Sequence, residues 1–179
     1  CENNDQGFFV TMFAAITDIT TGQTAFVNCG HNPPLLKKNN GKYEYLKMDS
    51  NLMIGVKDDF EYNIQETVLD KGDILFFYTD GVSEALNEKD ELYGEQRLID
   101  ALNLQENLDE TNPKTIVENI GENIKAFVNE TEQSDDITML VFKYNGDNNF
   151  EDKIVTEVVK LKIFYPAETY HQKYFERHV

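Results

Sequence analysis

Hydrophobic side chains recur every second residue or in unbroken runs through the first 80 positions, then at spacings of three and four, so the chain reads as strands followed by helices. Residues 8–17 are rich in aromatic and β-branched side chains. Residues 24–28 resume that character beyond the turn-like Asp18-Ile-Thr-Thr-Gly22-Gln segment, which predicts a β-hairpin. In Gly30-His-Asn-Pro-Pro34 the two prolines lack backbone donors and forbid a central strand there; Leu35, Leu36 and a polar turn over 37–41 follow. A short strand is expected over 43–48. Tyr62, Ile64 and Val68 share one face of an alternating run that Glu66 interrupts. After the turn at 70–73, residues 74–79 have no polar face, which predicts a strand covered on both sides.

Beyond Asp80-Gly81 the period changes. Leu98, Ile99, Ala101 and Leu102 suit a short helix. Asn112 as N-cap and Pro113 in the first helical position open a longer one, with Ile116, Val117, Ile120, Ile124, Phe127 and Val128 on its buried face. Residues 137–144 read as a last strand, and Asn145-Gly-Asp-Asn-Asn149 breaks the chain as a linker does.

At 179 residues with 40% apolar content the chain can build a core, which excludes wholesale disorder. Its 16 basic and 33 acidic side chains give a net charge of −17, a surface that repels phosphate backbones and anionic lipid. No nucleic-acid or membrane partner is expected. No apolar run approaches the roughly 20 residues of a membrane span and no cationic leader opens the sequence, so a cytoplasmic location is expected. The two cysteines, Cys1 and Cys29, predict reduced thiols rather than a disulfide framework. With Cys rather than Met first and a strand within eight residues, the chain reads as cut from something longer. Charge also divides it: residues 1–145 hold 27 acidic and 11 basic side chains, residues 146–179 hold 6 and 5.

The candidate chemistry sits at the ends of the two most apolar runs. Asp80 follows 74–79 and precedes Gly81, whose missing side chain lets an ion or its water shell approach; Asp135 and Asp136 precede the run that starts at Ile137. If the two runs pair antiparallel, Asp80 and Asp135 converge at one sheet edge. Clustered carboxylates repel unless a cation lies between them, and hard oxygen donors select Mg2+ or Mn2+. Asp-Gly is also an ordinary turn pair, and Asp135-Asp136 an ordinary loop in so acidic a chain, so the residues by themselves leave both readings open.

Five blocks, FVTMFAAITDITTG, VNCGHNPPLL, GDILFFYTDGVSEALN, YGEQRLID and QSDDITMLVF, in that order over residues 1–145, resemble the C-terminal part of metal-dependent protein serine/threonine phosphatases of the PPM type, as in stage II sporulation protein E and bacterial stress-response phosphatases. The resemblance implies an α+β fold, a partial αββα sandwich of two antiparallel sheets flanked by helices, with two Mn2+ or Mg2+ ions at one end of the complete domain. It implies metal roles for Asp80, in TDG, and Asp135, in SDDIT, with Asp136 as the neighbouring possibility and Gly81 beside the ligand. The implied reaction is hydrolysis by metal-activated water, without a phospho-enzyme, on phosphoserine or phosphothreonine of a regulatory protein of the anti-sigma-factor antagonist kind. The family's remaining metal ligands lie in motifs of the form GDxYD and GDVxGxG. Neither occurs in this sequence, so an incomplete metal centre is expected of this chain alone.

His31 is either a proton donor to the leaving group or, as commonly in a Pro-flanked turn, a residue whose hydrogen bonds fix that turn. Glu84, four after Asp80, approaches the same site if a helical turn begins at Gly81, or it is a surface residue. Asp18 suits a plain hairpin turn. Residues 153–179, after a linker at 146–152, form a candidate strand-helix appendage. The segment KIVTEVVKLKIFYPAETYHQKYFE resembles the C-terminal part of peptide methionine sulfoxide reductase A, but the GCFW motif that carries that family's nucleophile is absent, so Tyr165, Pro166, Glu168 and His171 read as packing and capping residues. Two other functions stay in view: a non-catalytic acidic interaction module with a phosphatase-like fold, and a reductase-related remnant.

Overall fold

The computed structural model describes residues 7–39, 41–104, 112–133 and 135–146. The expectations for Cys1, Ser134, all but the first residue of the linker at 146–152, and the appendage at 153–179 lie outside the described residues. Among the described residues seven strands form two antiparallel sheets. The first is ordered β1-β2-β5, from Met12–Thr17, Gln23–Cys29 and Gln65–Val68; the second is ordered β4-β3-β6-β7, from Tyr43–Tyr45, Leu35–Lys37, Ile74–Tyr78 and Met139–Lys143. The sheets stack through Phe26, Leu46, Leu69, Leu75 and Tyr144, with Phe13, Leu36, Phe77 and Phe142 beside them. Phe13 of β1 joins the layers: its ring stacks on Phe26 at 5.6 Å and meets Phe77 of the other sheet at 5.3 Å.

The expected hairpin is β1 with β2, in the register Met12↔Cys29 to Thr17↔Thr24. Asp18 closes it: Oδ1 accepts from the Thr20 amide at 2.8 Å and the Thr20 hydroxyl at 2.6 Å, bonds that hold its carboxyl below the usual range. β6 is covered on both faces, as its unbroken apolar run predicts, because the inter-sheet core lies on one side and two helices on the other. Those helices are α2 (Glu95–Asn103) and α3 (Pro113–Val128), after the short α1 (Asp80–Ser83). Asn112 caps α3, its side chain accepting from the Lys114 amide, with Pro113 opening the helix. Leu98, Leu102, Ile116, Val117, Ile120 and Ile124 pack onto Ile74, Phe76 and Tyr78.

Three expectations need correction. Leu35–Lys37 is a strand, interior in its sheet between β4 and β6, because Pro33 and Pro34 lie just before it and cost it no ladder bond. The strand at 43–48 ends at Tyr45: the Leu46 amide still donates in register to the Pro34 carbonyl, but Pro34, just outside β3, has no N–H to return the bond. Ile64 and Val68 do fall on one side of β5, but that side faces outward: Ile64 is 68% and Val68 51% exposed, while Gln65 and Thr67 are half-buried. The helical layer among the described residues lies on the second sheet.

Candidate metal centre

Topology makes one end of the sandwich the meeting place of the candidate residues. β1 and β3 begin there, β2 and β6 end there, and β7 begins there, because each neighbouring pair is antiparallel. The last register pair of β6 and β7 is Tyr78↔Met139. Thr79 extends the pairing as a clamp. Its amide donates to Thr138 O at 3.1 Å, its hydroxyl donates to Asp136 O at 2.9 Å, and the same Oγ1 accepts from the Thr138 amide at 3.0 Å. The segments carrying Asp80 and Asp135-Asp136 are thereby stitched side by side. All three aspartates are exposed.

Gly81 shows how close the two segments come. A Cβ there would sit 2.5 Å from Asp136 O and 3.3 Å from Asp135 O, so the residue must be glycine for the Asp135-Asp136 peptide to lie where it does. Asp80 opens α1; its Oδ1 accepts from the Gly81 amide, and its carbonyl accepts from the Glu84 amide and the Ser83 hydroxyl. Glu84 is an exposed C-cap of that single turn. Asp135 Oδ1 accepts from the Asp136 amide at 2.7 Å.

The donor chemistry suits a hard cation only in part. Two carboxylate-bearing segments meet at one edge, with the Asp135 and Asp136 carbonyls beside them. Among the described residues, however, no group of three or more His, Cys, Asp or Glu side chains is arranged to hold a metal ion. Oxygen donors from elsewhere are needed to complete a dinuclear site.

The Gly30–Pro34 turn lies at the same end. Asn28, 2% exposed, holds it: Oδ1 accepts from the His31 amide at 2.8 Å, and Nδ2 donates to His31 O at 2.9 Å. Asn32 lies near the buried phenol of Tyr78, two residues before Asp80, and that phenol's hydroxyl meets the Tyr45 hydroxyl at 3.3 Å. Burial pushes that phenol up, with Tyr45 and Asn32 opposing and the charge of Glu95 adding. Residue-type reasoning missed Thr79 and Asn28. Their signal is a hydroxyl between a buried strand and a candidate ligand, and an asparagine inside an apolar strand.

The opposite end carries a structural clasp. Asp73, 1% exposed, accepts from the Asp70 and Asn39 amides and from Lys38 Nζ at 2.7 Å. Cys29 is buried and free, and burial raises its thiol pKa.

The family model for stage II sporulation protein E (SpoIIE) matches residues 1–145, and the chain belongs to that phosphatase family. Protein IcfG of Synechocystis sp. is 30% identical over 145 residues, covering 80% of this chain and 22% of that protein. Phosphoserine phosphatase RsbU of Bacillus subtilis is 29% identical over 87 residues, covering 49% and 26%. The chain therefore spans about a quarter of these curated relatives. Among solved structures, the PP2C phosphatase domain with a regulatory fragment of SpoIIE from Bacillus subtilis has the same fold, with TM-score 0.63 and 20% identity over 81% of this chain and 41% of that one. The RsbU and RsbW domains of a Mycobacterium tuberculosis protein give TM-score 0.62 and 21% identity over 81% and 39%. A separate likeness is to peptide methionine sulfoxide reductase MsrA of Ruthia magnifica, 47% identical over 49 residues, 27% of this chain and 26% of that protein.

Proposed function

We propose that residues 1–145 contribute one side of the metal centre of a protein serine/threonine phosphatase, with Asp80 and Asp135 as ligands, Asp136 adjacent, and Gly81 as the close-contact residue. The observation that carries this reading is the packing of Gly81 on the Asp135-Asp136 peptide, with the Thr79 clamp beside it. Bound Mn2+ or Mg2+ supplies Lewis acidity that lowers the pKa of a water and offsets charge on phosphoryl oxygens. The chain's own residues set the geometry: the two-strand pairing fixes the separation of the aspartate segments, and α1 fixes the backbone on which Asp80 sits. The remaining ligands come from a part of the domain that holds the GDxYD and GDVxGxG motifs, absent from these 179 residues.

The substrate in this reading is phosphoserine or phosphothreonine on a regulatory protein of the anti-sigma-factor antagonist kind. The relative named a phosphoserine phosphatase and the neighbour that joins RsbU and RsbW domains support it. Residues 153–179 are an appendage beyond the phosphatase portion and outside its chemistry.

The test uses the protein translated from the longest reading frame that contains these residues. Mn2+-dependent hydrolysis of an aryl phosphate is expected, retained in Cys29→Ser and lost by at least ~100-fold in Asp80→Ala, the scale on which removal of a charge-stabilising group acts. Hydrolysis indifferent to Asp80 overturns the reading. A second reading, an acidic interaction module without chemistry, takes its support from the lack of a three-ligand group among the described residues; it predicts no Mn2+-dependent turnover.

A further inference from the structure

We infer that the Thr79 hydroxyl is a positioning group of the metal centre, setting its affinity for the cation by holding the Asp135-Asp136 segment against Asp80; the inference rests on the phosphatase reading above. A threonine just before a helix has an ordinary use, capping the first turn by accepting from an amide there. The geometry excludes that use here. Thr79 is the N-cap residue of α1, with extended backbone at φ −90° and ψ 161°, yet its side chain makes no capping bond. The hydroxyl is turned across to the neighbouring strand instead, donating to Asp136 O at 2.9 Å and accepting from the Thr138 amide at 3.0 Å. Both bonds go to one segment, 57 and 59 residues along the chain, and neither to its own helix.

Those two bonds act where the ladder stops. Tyr78↔Met139 is the last register pair of β6 and β7, and the Thr79 amide carries one main-chain bond further, to Thr138 O at 3.1 Å. The backbone then bends into α1, the Thr79 carbonyl turning to the Val82 amide at 3.0 Å, and the Thr79 side chain takes over the link between the strands. The Asp136 carbonyl is pinned from two sides, by Thr79 Oγ1 and by Gly81, whose missing Cβ would come within 2.5 Å of it. Of three consecutive residues, the outer two seat the facing segment and the middle one carries the carboxylate. The other oxygens at this edge are partly engaged as well. Asp135 O accepts from Gln133 Nε2, Asp80 Oδ1 from the Gly81 amide at 3.1 Å, and Asp135 Oδ1 from the Asp136 amide at 2.7 Å. What remains for a cation is carboxylate oxygen from Asp80, Asp135 and Asp136, and its spacing follows from where the two segments lie.

Electrostatics makes that placement consequential. The three exposed aspartates carry like charge, and with no cation between them they push the two segments apart. Were nothing to oppose this, part of the metal's binding free energy would go into drawing the segments together, and the observed affinity would fall accordingly. A neutral hydroxyl bridging the segments holds them in place beforehand and adds no charge of its own. The role needs a group that donates to a carbonyl and accepts from an amide at once. Serine has one; valine, with the same shape as threonine, does not.

The experiment exploits that difference on the same reading-frame protein, with Mn2+ binding measured by calorimetry. Thr79→Val is expected to weaken binding by about tenfold or more, the usual effect of removing a hydrogen bond that orients a ligand, and Thr79→Ser to stay within about threefold of the unmodified protein. Tyr93→Phe, which loses a hydrogen bond within the helix layer, controls for lost stability alone and is expected to bind Mn2+ unchanged. Unchanged binding in Thr79→Val, binding in Thr79→Ser as weak as in Thr79→Val, or an equal loss in Tyr93→Phe each overturn the inference. Should Thr79→Val fail to fold, hydrogen exchange in the unmodified protein supplies the test. The Thr138 amide is expected to be protected without metal to within about threefold of its protection with Mg2+, and an amide that exchanges freely until the cation is added overturns it. If the unmodified protein neither binds Mn2+ nor hydrolyses an aryl phosphate, the phosphatase reading itself fails and takes this inference with it. Mn2+-dependent turnover with a failed Thr79 prediction leaves that reading standing.

Discussion

At the scale of single residues, Gly81 and Asn28 explain most of how the candidate site is held. Gly81 is not in a left-handed conformation; its need for hydrogen in place of a methyl is steric, set by the Asp136 carbonyl. Gly81→Ala therefore forces the 135–136 segment away, and overpacking of this kind costs about 1–3 kcal/mol. A melting temperature lower by about 2–4 °C per kcal/mol is expected by calorimetry for a chain of this size. An unchanged melting temperature would show that the segment yields freely. Asn28 acts by the opposite means, since a buried amide must find partners and those it finds are both polar groups of the His31 backbone. The composition of Gly30–Pro34 announced a turn, but whether the histidine ring serves the turn or stands clear of it was decided by Asn28.

At the scale of elements, the helix layer depends on Tyr93, at the entrance to α2. Its hydroxyl donates to Asn123 of α3 at 2.7 Å, and its ring meets Phe127 edge-on at 5.4 Å, with Arg97 stacked over the same Phe127 ring. Burial raises the Tyr93 phenol from 10.0 to about 12, the Arg97 charge opposing. A folded-state pKa above the unfolded one means the folded protein holds its proton more tightly, so this contribution is complete below pH 10.0 and is lost as pH rises towards about 12. Urea titrations across that window are expected to show a decline in stability that is shallower in Tyr93→Phe, which itself costs about 1 kcal/mol at neutral pH for the lost hydrogen bond. Equal slopes in the two proteins would remove Tyr93 from the account. The periodicity of 113–128 and its Asn-Pro cap made α3 legible from sequence, because those signals are local; the partner of Tyr93 was not, being 30 residues away.

At the scale of the whole molecule, the two faces of the sandwich differ. Helices cover the second sheet, while the outer side of β1-β2-β5 presents Ile16 at 80% exposure beside Met12, Ile64 and Val68. Apolar area of this kind on a folded surface marks a contact face. The isolated chain is expected to bind a dye such as anilinonaphthalene sulfonate, and Ile16→Asp with Ile64→Asp to abolish that binding while changing stability by no more than about 0.5 kcal/mol each, as exposed positions do. A large loss of stability would show that these side chains are buried in solution. Alternation in the sequence put Ile64 and Val68 on one side of a strand but carried no information on which side faced the core.

The amino-acid sequence by itself determined the local elements, the two aspartate segments at the ends of apolar runs, and the charge division at residue 145, because propensity, capping and periodicity act over a few residues. Only the tertiary structure decided that β6 and β7 are neighbours, that Gly81 rests on the Asp135-Asp136 peptide, and that the His31 ring is spared from holding its own turn. The physical reason is that strand pairing and close packing join residues far apart along the chain, Tyr78 with Met139 and Gly81 with Asp136, where no short-range pattern reaches.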